Sequence, residues 1–424
     1  GPVGLEIGSA AGSGSDRVSL RLLSRPRVPE GVEGRIRVRL GERMRKLPRR
    51  KGKGTRGEAN EHLRALAREI PGGADHAGRA VECMESFAND YLNGALPAWF
   101  YYAMTAARVV PLRKGATRAD GIRSIAVGEC ERRLWWAAVE EEYQDALKAT
   151  VAPHQVAVGV KAGGQKLSAG IRLALEQHPE WVLLKLDISN FFNEMRRDTL
   201  LRRVAAHPTL QQLVPGLRAE LEVASPIVLA GQLQRVASEE GEQQGKPIVP
   251  ALSAIYLKPR LDVANARLQS CGGGVKGQMD DLYAVGPVRE VFAAVEQLQR
   301  ELQSDEDGLE LQARKCAYWS PEEATREVAA GLRLGGEQLP LGLLDRQAGP
   351  PAGTGLMVSG VPIGNSAFVR RRLDNLAADA VAKVRQVVGK FGARHAQAAW
   401  TALRYTLSPL LAFQGRSVRT LLAW

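Results

Sequence analysis

The stretch Trp181-Val-Leu-Leu-Lys-Leu-Asp187 is a compact apolar run that ends in an acid. A run of this length and composition predicts a buried β-strand. Farther along the chain, Gln278-Met-Asp-Asp281 carries two more acids between short apolar segments at residues 275–279 and 282–285. These segments predict two strands around a tight turn. If the strands are neighbours in one sheet, Asp187 and Asp280 can face each other at its edge.

Three acids at strand ends are a candidate metal site. Adjacent acids at a hairpin tip are most often a solvated turn, but here apolar half-strands flank them. Two carboxylates about 4 Å apart repel each other by roughly 4 kcal/mol at an effective dielectric near 20. A divalent cation relieves that repulsion and prefers oxygen ligands. A pair of such ions about 3.5–4 Å apart stabilises the attacking and leaving oxygens of a phosphoryl transfer.

The composition is that of a globular protein without a membrane span. The chain has 424 residues, of which 45% are apolar and 25% charged, which is ordinary for a soluble domain and long enough for two or three lobes. No run of 18 or more apolar residues occurs, so no membrane partner is expected. The four cysteines form no CxxC pair and the six histidines show no ligand spacing. A disulfide framework or zinc site is therefore not expected, and a reducing compartment is the default.

The positive charge is concentrated near the start of the chain. The net charge is +12, and residues 1–60 hold 15 Lys and Arg against 6 Asp and Glu, an excess of nine. Residues 1–55 are predicted to be a basic, largely flexible segment. Such a segment suits the phosphate backbone of a nucleic acid. A solvated tail or a nuclear import signal is an equally good interpretation.

The pattern along the chain predicts a mixed α+β fold without regular βαβ spacing. Short strands are expected at residues 109–112 and 125–127, and residues 331–353 are rich in loop formers. Helices are expected at residues 61–68, 80–96 with Pro97 at the end, 131–147, 167–175, from an Asp198 N-cap through 204, 250–257, 291–302 and 367–411.

A series of motifs between Val109 and Asn365 resembles, in the family's order, the reverse transcriptases, and within them the non-LTR retrotransposon type. Each motif alone is weak, and the resemblance rests on all of them together. The motifs are Val110-Pro-Leu-Arg-Lys114 with Gly121-Ile-Arg-Ser-Ile-Ala126, Asp187-Ile-Ser-Asn-Phe-Phe192, Gln244-Gly-Lys-Pro-Ile248 with Leu252 and Ser253, Met279-Asp-Asp281, Gly308-Leu-Glu-Leu-Gln-Ala-Arg-Lys-Cys316 and Gly360-Val-Pro-Ile-Gly364.

The resemblance implies a right-hand polymerase fold. Residues 56–180 would form an N-terminal extension and fingers. Residues 181–365 would form the palm, an antiparallel sheet with helices, together with part of the fingers and with the primer grip at the end. Residues 366–424 would form a helical thumb. The implied activity is RNA-directed DNA polymerase, which adds dNTPs to the 3′ end of a DNA or RNA primer on an RNA template. The implied cofactor is a pair of Mg²⁺ ions, with Mn²⁺ as a substitute, and the implied location is nuclear or otherwise intracellular.

The resemblance also implies roles for individual residues. Phe192, five residues after Asp187, would pack under the sugar and exclude a 2′-hydroxyl, which favours dNTPs. Lys114 and Arg123 would bind the triphosphate, and Lys315 would lie near it. The other implied residues are the catalytic acids Asp187, Asp280 and Asp281, the metal ligands Asp187, Ile188, Asp280 and Asp281, the nucleotide-loop residues Gln244 and Gly245, and the primer-grip residues Gly360, Pro362 and Gly364.

Three positions depart from the family pattern and leave alternatives open. Ser124 replaces a usual proline, Gln278 a usual aromatic residue, and Lys246 a usual small or acidic residue. One alternative is a catalytically decayed, reverse-transcriptase-like protein that still binds RNA or DNA. Another is an RNA polymerase of the same palm type, which Phe192 argues against because such enzymes usually have an acid there.

Overall fold

The computed structural model describes residues 35–69, 75–113, 122–229, 235–243, 245–342, 353–392, 395–407 and 412. From Arg35 onward the chain forms one compact unit. Its described part is a mixed α+β protein with small, mainly antiparallel sheets, which confirms the predicted fold class at that level. None of the described helices has both the length and the apolar character that a membrane crossing needs.

Helices and strands alternate irregularly along the described chain. The helices are α1 (Gly41–Lys46), α2 (Asn60–Leu66), α3 (His76–Leu92), α4 (Ala98–Met104), α5 (Cys130–Glu142), α6 (Gln144–Val151), α7 (Gly163–Gln177), α8 (Phe191–Glu194), α9 (Arg197–Ala205), α10 (Val214–Leu221), α11 (Val249–Leu268), α12 (Val288–Leu302), α13 (Glu323–Ala330), α14 (Ser366–Phe391) and α15 (Ala396–Ala402). The strands are β1 (Ala107–Arg113), β2 (Ile122–Gly128), β3 (Trp181–Asp187), β4 (Ser225–Leu229), β5 (Arg235–Ser238), β6 (Gly274–Gln278), β7 (Asp281–Pro287), β8 (Ala317–Trp319), β9 (Arg333–Leu334), β10 (Glu337–Gln338), β11 (Gly355–Val358) and β12 (Val361–Gly364).

The central sheet has the strand order β6-β7-β3-β8, and every neighbouring pair is antiparallel. Helix α11 comes between β3 and β6 in the chain, and helix α12 between β7 and β8. This succession is a split β-α-β-β-α-β unit. The three strands predicted from the acid-bearing stretches are therefore neighbours in one sheet, as the sequence analysis required.

Both faces of this sheet are buried, which explains why β3 is apolar apart from Lys185 and the terminal Asp187. Val182, Leu184 and Leu186 belong to the large core that also holds apolar residues of α11 and α12. Leu183 instead joins Tyr283 in a smaller core with α7 and the β11–β12 hairpin. Because side chains alternate along a strand, Asp187 shares the face of Leu183.

A second sheet has the order β2-β1-β4-β5. Strands β1 and β2 contain the two predicted short strands and form an antiparallel hairpin, and β4 runs parallel to β1. The sequence analysis missed β4 and β5. They are short, partly exposed strands without a clear alternation of apolar and polar residues, so the local pattern gives no signal.

Three local predictions are wrong in detail. The helix expected over residues 131–147 is two helices, α5 and α6, that meet at Tyr143. Helix α3 ends at Leu92, and Pro97 is the N-cap of α4, where its fixed φ suits a helix start. Asp198 lies inside the first turn of α9, whose N-cap is Arg196. Its carboxylate pairs with Arg202 at 3.6 Å instead of capping.

Part of the segment predicted to be flexible is packed against the core. Ile36, Val38 and Leu40 are buried, and their backbone N–H groups donate to the side chains of Asn93, Asn89 and Glu85 on successive turns of α3. Alternation explains why the intervening arginines remain exposed. Residues 1–34, the start of that segment, lie outside the described residues.

Candidate active site

The three predicted acids meet at one end of the central sheet. β3 ends at Asp187 and β7 begins at Asp281, and the two residues are directly opposite in the antiparallel register. Opposite residues project from the same face with Cβ atoms about 4.5–5.5 Å apart. The sequence analysis expected Asp280 in that position. Asp280 instead lies in the two-residue turn between Gln278 and Asp281, which pair with each other.

The turn that carries Asp280 is conformationally demanding. Met279 has a φ of 58°, in the left-handed region. Two-residue hairpin loops require positive φ, which glycine adopts most easily. A non-glycine residue costs about 1–2 kcal/mol there. Gln155 contacts both polar groups of the Met279 backbone, with its Nε2 donating to Met279 O at 3.2 Å and its Oε1 accepting from Met279 N at 3.0 Å.

Two lysines lie beside the acids without forming close hydrogen bonds to them. Lys315 Nζ is 3.6 Å from Asp187 Oδ1, and Lys185 Nζ is 3.5 Å from Asp281 Oδ1. The aspartate side chains are 33% and 44% exposed. Distances beyond about 3.2 Å are too long for a strong charge-assisted hydrogen bond, so lone pairs of both carboxylates remain accessible from solvent. Lys315 therefore lies beside Asp187, and its place near a triphosphate stays a prediction.

Tyr283 connects the acids to the predicted primer grip. It lies two residues after Asp281, on the same face of β7, and its hydroxyl accepts a hydrogen bond from Ser359 N at 3.1 Å. Burial, together with the charges of Asp281 and Asp280, raises the pKa of Tyr283 to about 12. The phenol is therefore neutral at physiological pH and holds the tip of the β11–β12 hairpin against the sheet.

The predicted primer-grip residues form that hairpin. Its turn residues, Ser359 and Gly360, have φ of 51° and 80°, as a two-residue turn of type I′ requires. Pro362 pairs with Met357 in the register of β11 and β12. A Cβ at Gly364 would lie 2.5 Å from Thr354 O, so only glycine permits this close approach.

A backbone hydrogen bond connects Phe192 to the segment that leads into Gly245. Gly245 has a φ of 115°, and a Cβ there would lie 3.0 Å from Ala126 O on β2. The glycine therefore lets the loop approach the β1–β2 hairpin closely. Phe192 O accepts from Glu242 N at 2.7 Å, which anchors the segment just before Gly245. The ring of Phe192 is partly buried against Phe191, at a centroid distance of 5.5 Å.

Lys246, one of the three departures, has a structural environment. Its Nζ is buried and lies 2.7 Å from Glu220 Oε2 and 2.9 Å from Glu242 Oε1. Arg132 also donates two hydrogen bonds to Glu220, at 3.0 and 2.7 Å. Burial alone would raise the pKa of Glu220, but the charges of Arg132 and Lys246 hold it well below its ordinary value. Lys246 is thus committed to an internal ion network and is not a substrate ligand.

Several predicted ligands cannot be placed as side chains. Lys114 and Gln244 lie outside the described residues. The backbone of Arg123 pairs with Leu112 in the β1–β2 hairpin, while its side chain lies outside the described part. The triphosphate and nucleotide roles of these three residues stay predictions.

The backbone after Asp187 supports the prediction for Ile188. Ile188 forms an isolated bridge with Leu311, made by Ser189 N donating to Glu310 O and Gln312 N donating to Asp187 O, both at 2.8 Å. This pairing does not use the carbonyl of Ile188. A backbone oxygen therefore remains beside the carboxylate of Asp187 as a potential metal ligand.

The donor atoms suit Mg²⁺, although the three carboxylates are spread out. Among the described residues, the group whose ligand atoms all lie within 4.8 Å of one another is Glu58, Cys130 and Glu131, and the three aspartates are not so close. Burial raises the pKa of the Cys130 thiol to about 12, and sulfur is a softer donor than Mg²⁺ prefers. The aspartates offer hard oxygen donors, and their mutual repulsion is what a bound cation would relieve.

The sequence analysis missed Gln155, Lys185 and Tyr283. The two residues on strands could have been found, because Lys185 and Tyr283 lie two positions from an acid and so share its face. Gln155 has no local signal, since its contact with Met279 spans 124 residues. No protein-family model matches the sequence, and a search of curated proteins gives no match.

Proposed function

We propose that the chain is an RNA-directed DNA polymerase that adds dNTPs to a primer 3′ end by two-metal phosphoryl transfer. The observation that carries this proposal is the register of β3 and β7, in which Asp187 lies opposite Asp281 with Asp280 in the adjoining turn. Three carboxylates at one accessible sheet end are the donor set that two hard divalent cations need.

The residues of the site have distinct tasks in this proposal. Asp187, Asp280, Asp281 and the Ile188 carbonyl would hold the ions. When bound, two Mg²⁺ ions would lower the pKa of the primer 3′-hydroxyl and stabilise the attacking and leaving oxygens. Lys315, 3.6 Å from Asp187, adds positive charge where the triphosphate would lie.

The surroundings of the acids fit the binding of primer and nucleotide. The β11–β12 hairpin is hydrogen-bonded to β7 through Tyr283, which fixes its position relative to the sheet. In this proposal the 3′ end of the primer lies against the hairpin, near Asp281. Phe192 follows Asp187 by five residues and its carbonyl anchors the loop ahead of Gly245. A nucleotide sugar between Phe192 and that loop would meet the aromatic ring, which leaves no room for a 2′-hydroxyl.

The whole architecture is compatible with a right-hand polymerase. In this proposal the β2-β1-β4-β5 sheet belongs to the fingers, the β6-β7-β3-β8 sheet with α11 and α12 is the palm, and α14 with α15 is the thumb. The exposed arginines of residues 35–39 and the basic residues 43–56 extend the positive surface for an RNA template.

A catalytically decayed, nucleic-acid-binding protein is the second candidate, and one observation favours it. Gln278, where the family usually has an aromatic residue, has a buried side-chain Oε1 without a hydrogen-bond partner among the described residues. A buried acceptor without a partner costs free energy, and an uncompensated cost of this kind fits a substitution that was accepted without regard to catalysis. The RNA polymerase alternative would need room for a ribose 2′-hydroxyl beside Phe192.

The test is primer extension on an oligo(dT)-primed poly(rA) template with dTTP and Mg²⁺. The wild type is compared with Asp280→Ala and with Asp198→Ala, a matched control at an exposed acid on α9. Extension by the wild type and the control, and none by Asp280→Ala, supports the polymerase. If no protein extends the primer with either Mg²⁺ or Mn²⁺ while RNA still binds, the polymerase proposal is refuted and the decayed protein replaces it.

A further inference from the structure

Gln155 holds the turn between β6 and β7 as a peptide group would. Its side chain is buried, and the amide donates from Nε2 to Met279 O and accepts at Oε1 from Met279 N, at 3.2 and 3.0 Å. Oε1 also accepts from Ala157 N at 3.2 Å. Met279 N–H needs an acceptor and Met279 O needs a donor, and a side-chain amide offers both in one plane without a charge.

The segment around Gln155 is fixed to the edge of the sheet. Gly277 N donates to His154 O at 2.7 Å, and Val156 N donates to Gly277 O at 2.9 Å, so the segment runs parallel beside β6. A Cβ at Gly277 would lie 2.9 Å from Gln155 Nε2. The glycine at this position therefore makes the space through which the amide reaches the turn.

The turn needs such support because of its sequence. Met279 has positive φ, where L residues are disfavoured, and it directly precedes Asp280. Without an external partner, the strain would be released by opening the turn, and Asp280 and Asp281 would move with it. A residue held in a disfavoured conformation beside a candidate site is what a preorganised site requires.

We propose that Gln155 is a positioning residue, which keeps Met279 in the left-handed conformation and thereby holds Asp281 opposite Asp187 and Asp280 in the adjoining turn. Gln155 touches neither a substrate nor a metal ion in this proposal. Its effect on metal binding and catalysis rests on the proposed function, whereas its effect on the turn is independent of it.

Four proteins test the proposal, together with one control. They are the wild type, Gln155→Met, Met279→Gly and the double variant. Gln155→Met keeps the length of the side chain and removes both hydrogen bonds to Met279. Met279→Gly removes the backbone strain. Gln177→Met, at the exposed end of α7, controls for the substitution itself. Each protein is measured for hydrogen–deuterium exchange of the peptide over residues 276–284, for melting temperature, and for the Mg²⁺ dependence of single-nucleotide incorporation.

The expected pattern is a local defect with a specific rescue. Loss of two buried hydrogen bonds in Gln155→Met should raise exchange in that peptide, and the Mg²⁺ concentration for half-maximal rate, by about tenfold or more. The affinity for primer–template and the KM for dTTP should stay near wild type while kcat falls. The double variant should recover most of both losses, because glycine adopts positive φ without the amide.

Two results would overturn the proposal. One is wild-type exchange and Mg²⁺ dependence in Gln155→Met. The other is a double variant no better than Gln155→Met, which would locate the defect in folding at large. If Gln155→Met does not fold, Gln155→Ala decides instead, since it removes both contacts with Met279 without adding a charge beside the acids. If the wild type incorporates no nucleotide, the proposed function fails, and the exchange measurement still decides the role of Gln155.

Discussion

Two clusters of charged residues in this protein have opposite environments. Around Glu220, the partners Arg132 and Lys246 approach the carboxylate to 2.7–3.0 Å, and all three side chains are buried. At the end of β3 and β7, the nearest lysines remain 3.5 and 3.6 Å from Asp281 and Asp187, and both carboxylates are partly exposed.

In the proposed function, the difference separates charges that stabilise the fold from charges that bind metal ions. A buried carboxylate is tolerated only with close partners, and the Glu220 cluster supplies them. The aspartate cluster contains three acids and two lysines, and lone pairs of its carboxylates remain accessible to solvent. A bound divalent cation would balance the excess negative charge of this cluster. We therefore expect substitutions in the first cluster to change stability and substitutions in the second to change activity.

The largest expected effect is on polymerase activity when one of the three aspartates is replaced. Asp281→Asn should lower the rate of primer extension by at least about a thousandfold, because a metal ligand and its charge are lost. Its melting temperature should equal or exceed that of the wild type, since the repulsion among the acids decreases. Initial rates and thermal unfolding measured on the same preparation check both parts. A fall in both together would place Asp281 among the structural charges.

The second-largest expected effect is on the free energy of unfolding when Glu220 is replaced. Glu220→Gln leaves Arg132 buried without its counter-charge and Lys246 with Glu242 as its acidic partner, and we expect the free energy of unfolding to fall by about 3–5 kcal/mol. Denaturant titration measures this change, with Glu239→Gln at an exposed acid as the control. Near-identical unfolding midpoints for Glu220→Gln and the control would show that the network contributes little.

A smaller effect concerns the choice of sugar. Phe192→Val should raise incorporation of UTP relative to dTTP by about tenfold to a hundredfold, the range over which an apolar pocket rejects an added hydroxyl. Competition between the two nucleotides on one template gives the ratio directly. Phe87→Val, on α3, is the control, and an unchanged ratio in Phe192→Val would remove this residue from the nucleotide site.

The smallest effect is the response of the interior cluster to acid. Because the pKa of Glu220 is lower in the folded protein than its ordinary value of 4.5, its contribution is present above that value and is lost as the pH falls below it. The difference in unfolding free energy between wild type and Glu220→Gln should therefore shrink below about pH 4.5. A difference that stays constant down to the acid limit would mean that folding does not lower the pKa of Glu220.

The sequence predicts the central strands well for a physical reason. Strand β3 and the β6–β7 hairpin are buried on both faces or bounded by turn residues, so their limits are visible in the local pattern. The position of Asp281 opposite Asp187 depends on a two-residue turn, and a shift of one residue changes the partner. The sequence analysis therefore located the acids correctly and named Asp280 instead of Asp281 as the residue opposite Asp187.

Residues that act across long separations could not be predicted in this way. Gln155 reaches Met279 over 124 residues, and Arg132 reaches Glu220 over 88. From the sequence alone, Lys246 is as compatible with substrate binding as with an internal ion pair. Its burial against Glu220 and Glu242 shows that it forms an internal ion pair. Local periodicity contains no information on such pairs, because tertiary packing decides them.

The most direct test of the central claim is a metal titration of single-nucleotide incorporation by the wild type and Asp187→Asn. Both proteins are saturated with oligo(dT)-primed poly(rA), and dTTP incorporation is followed as Mg²⁺ or Mn²⁺ is added, with Mn²⁺ binding measured in parallel. The wild type should incorporate dTTP only with metal, and Asp187→Asn should bind the primer–template equally well, bind Mn²⁺ more weakly and incorporate almost nothing. Equal metal binding and equal incorporation by the two proteins would contradict the account.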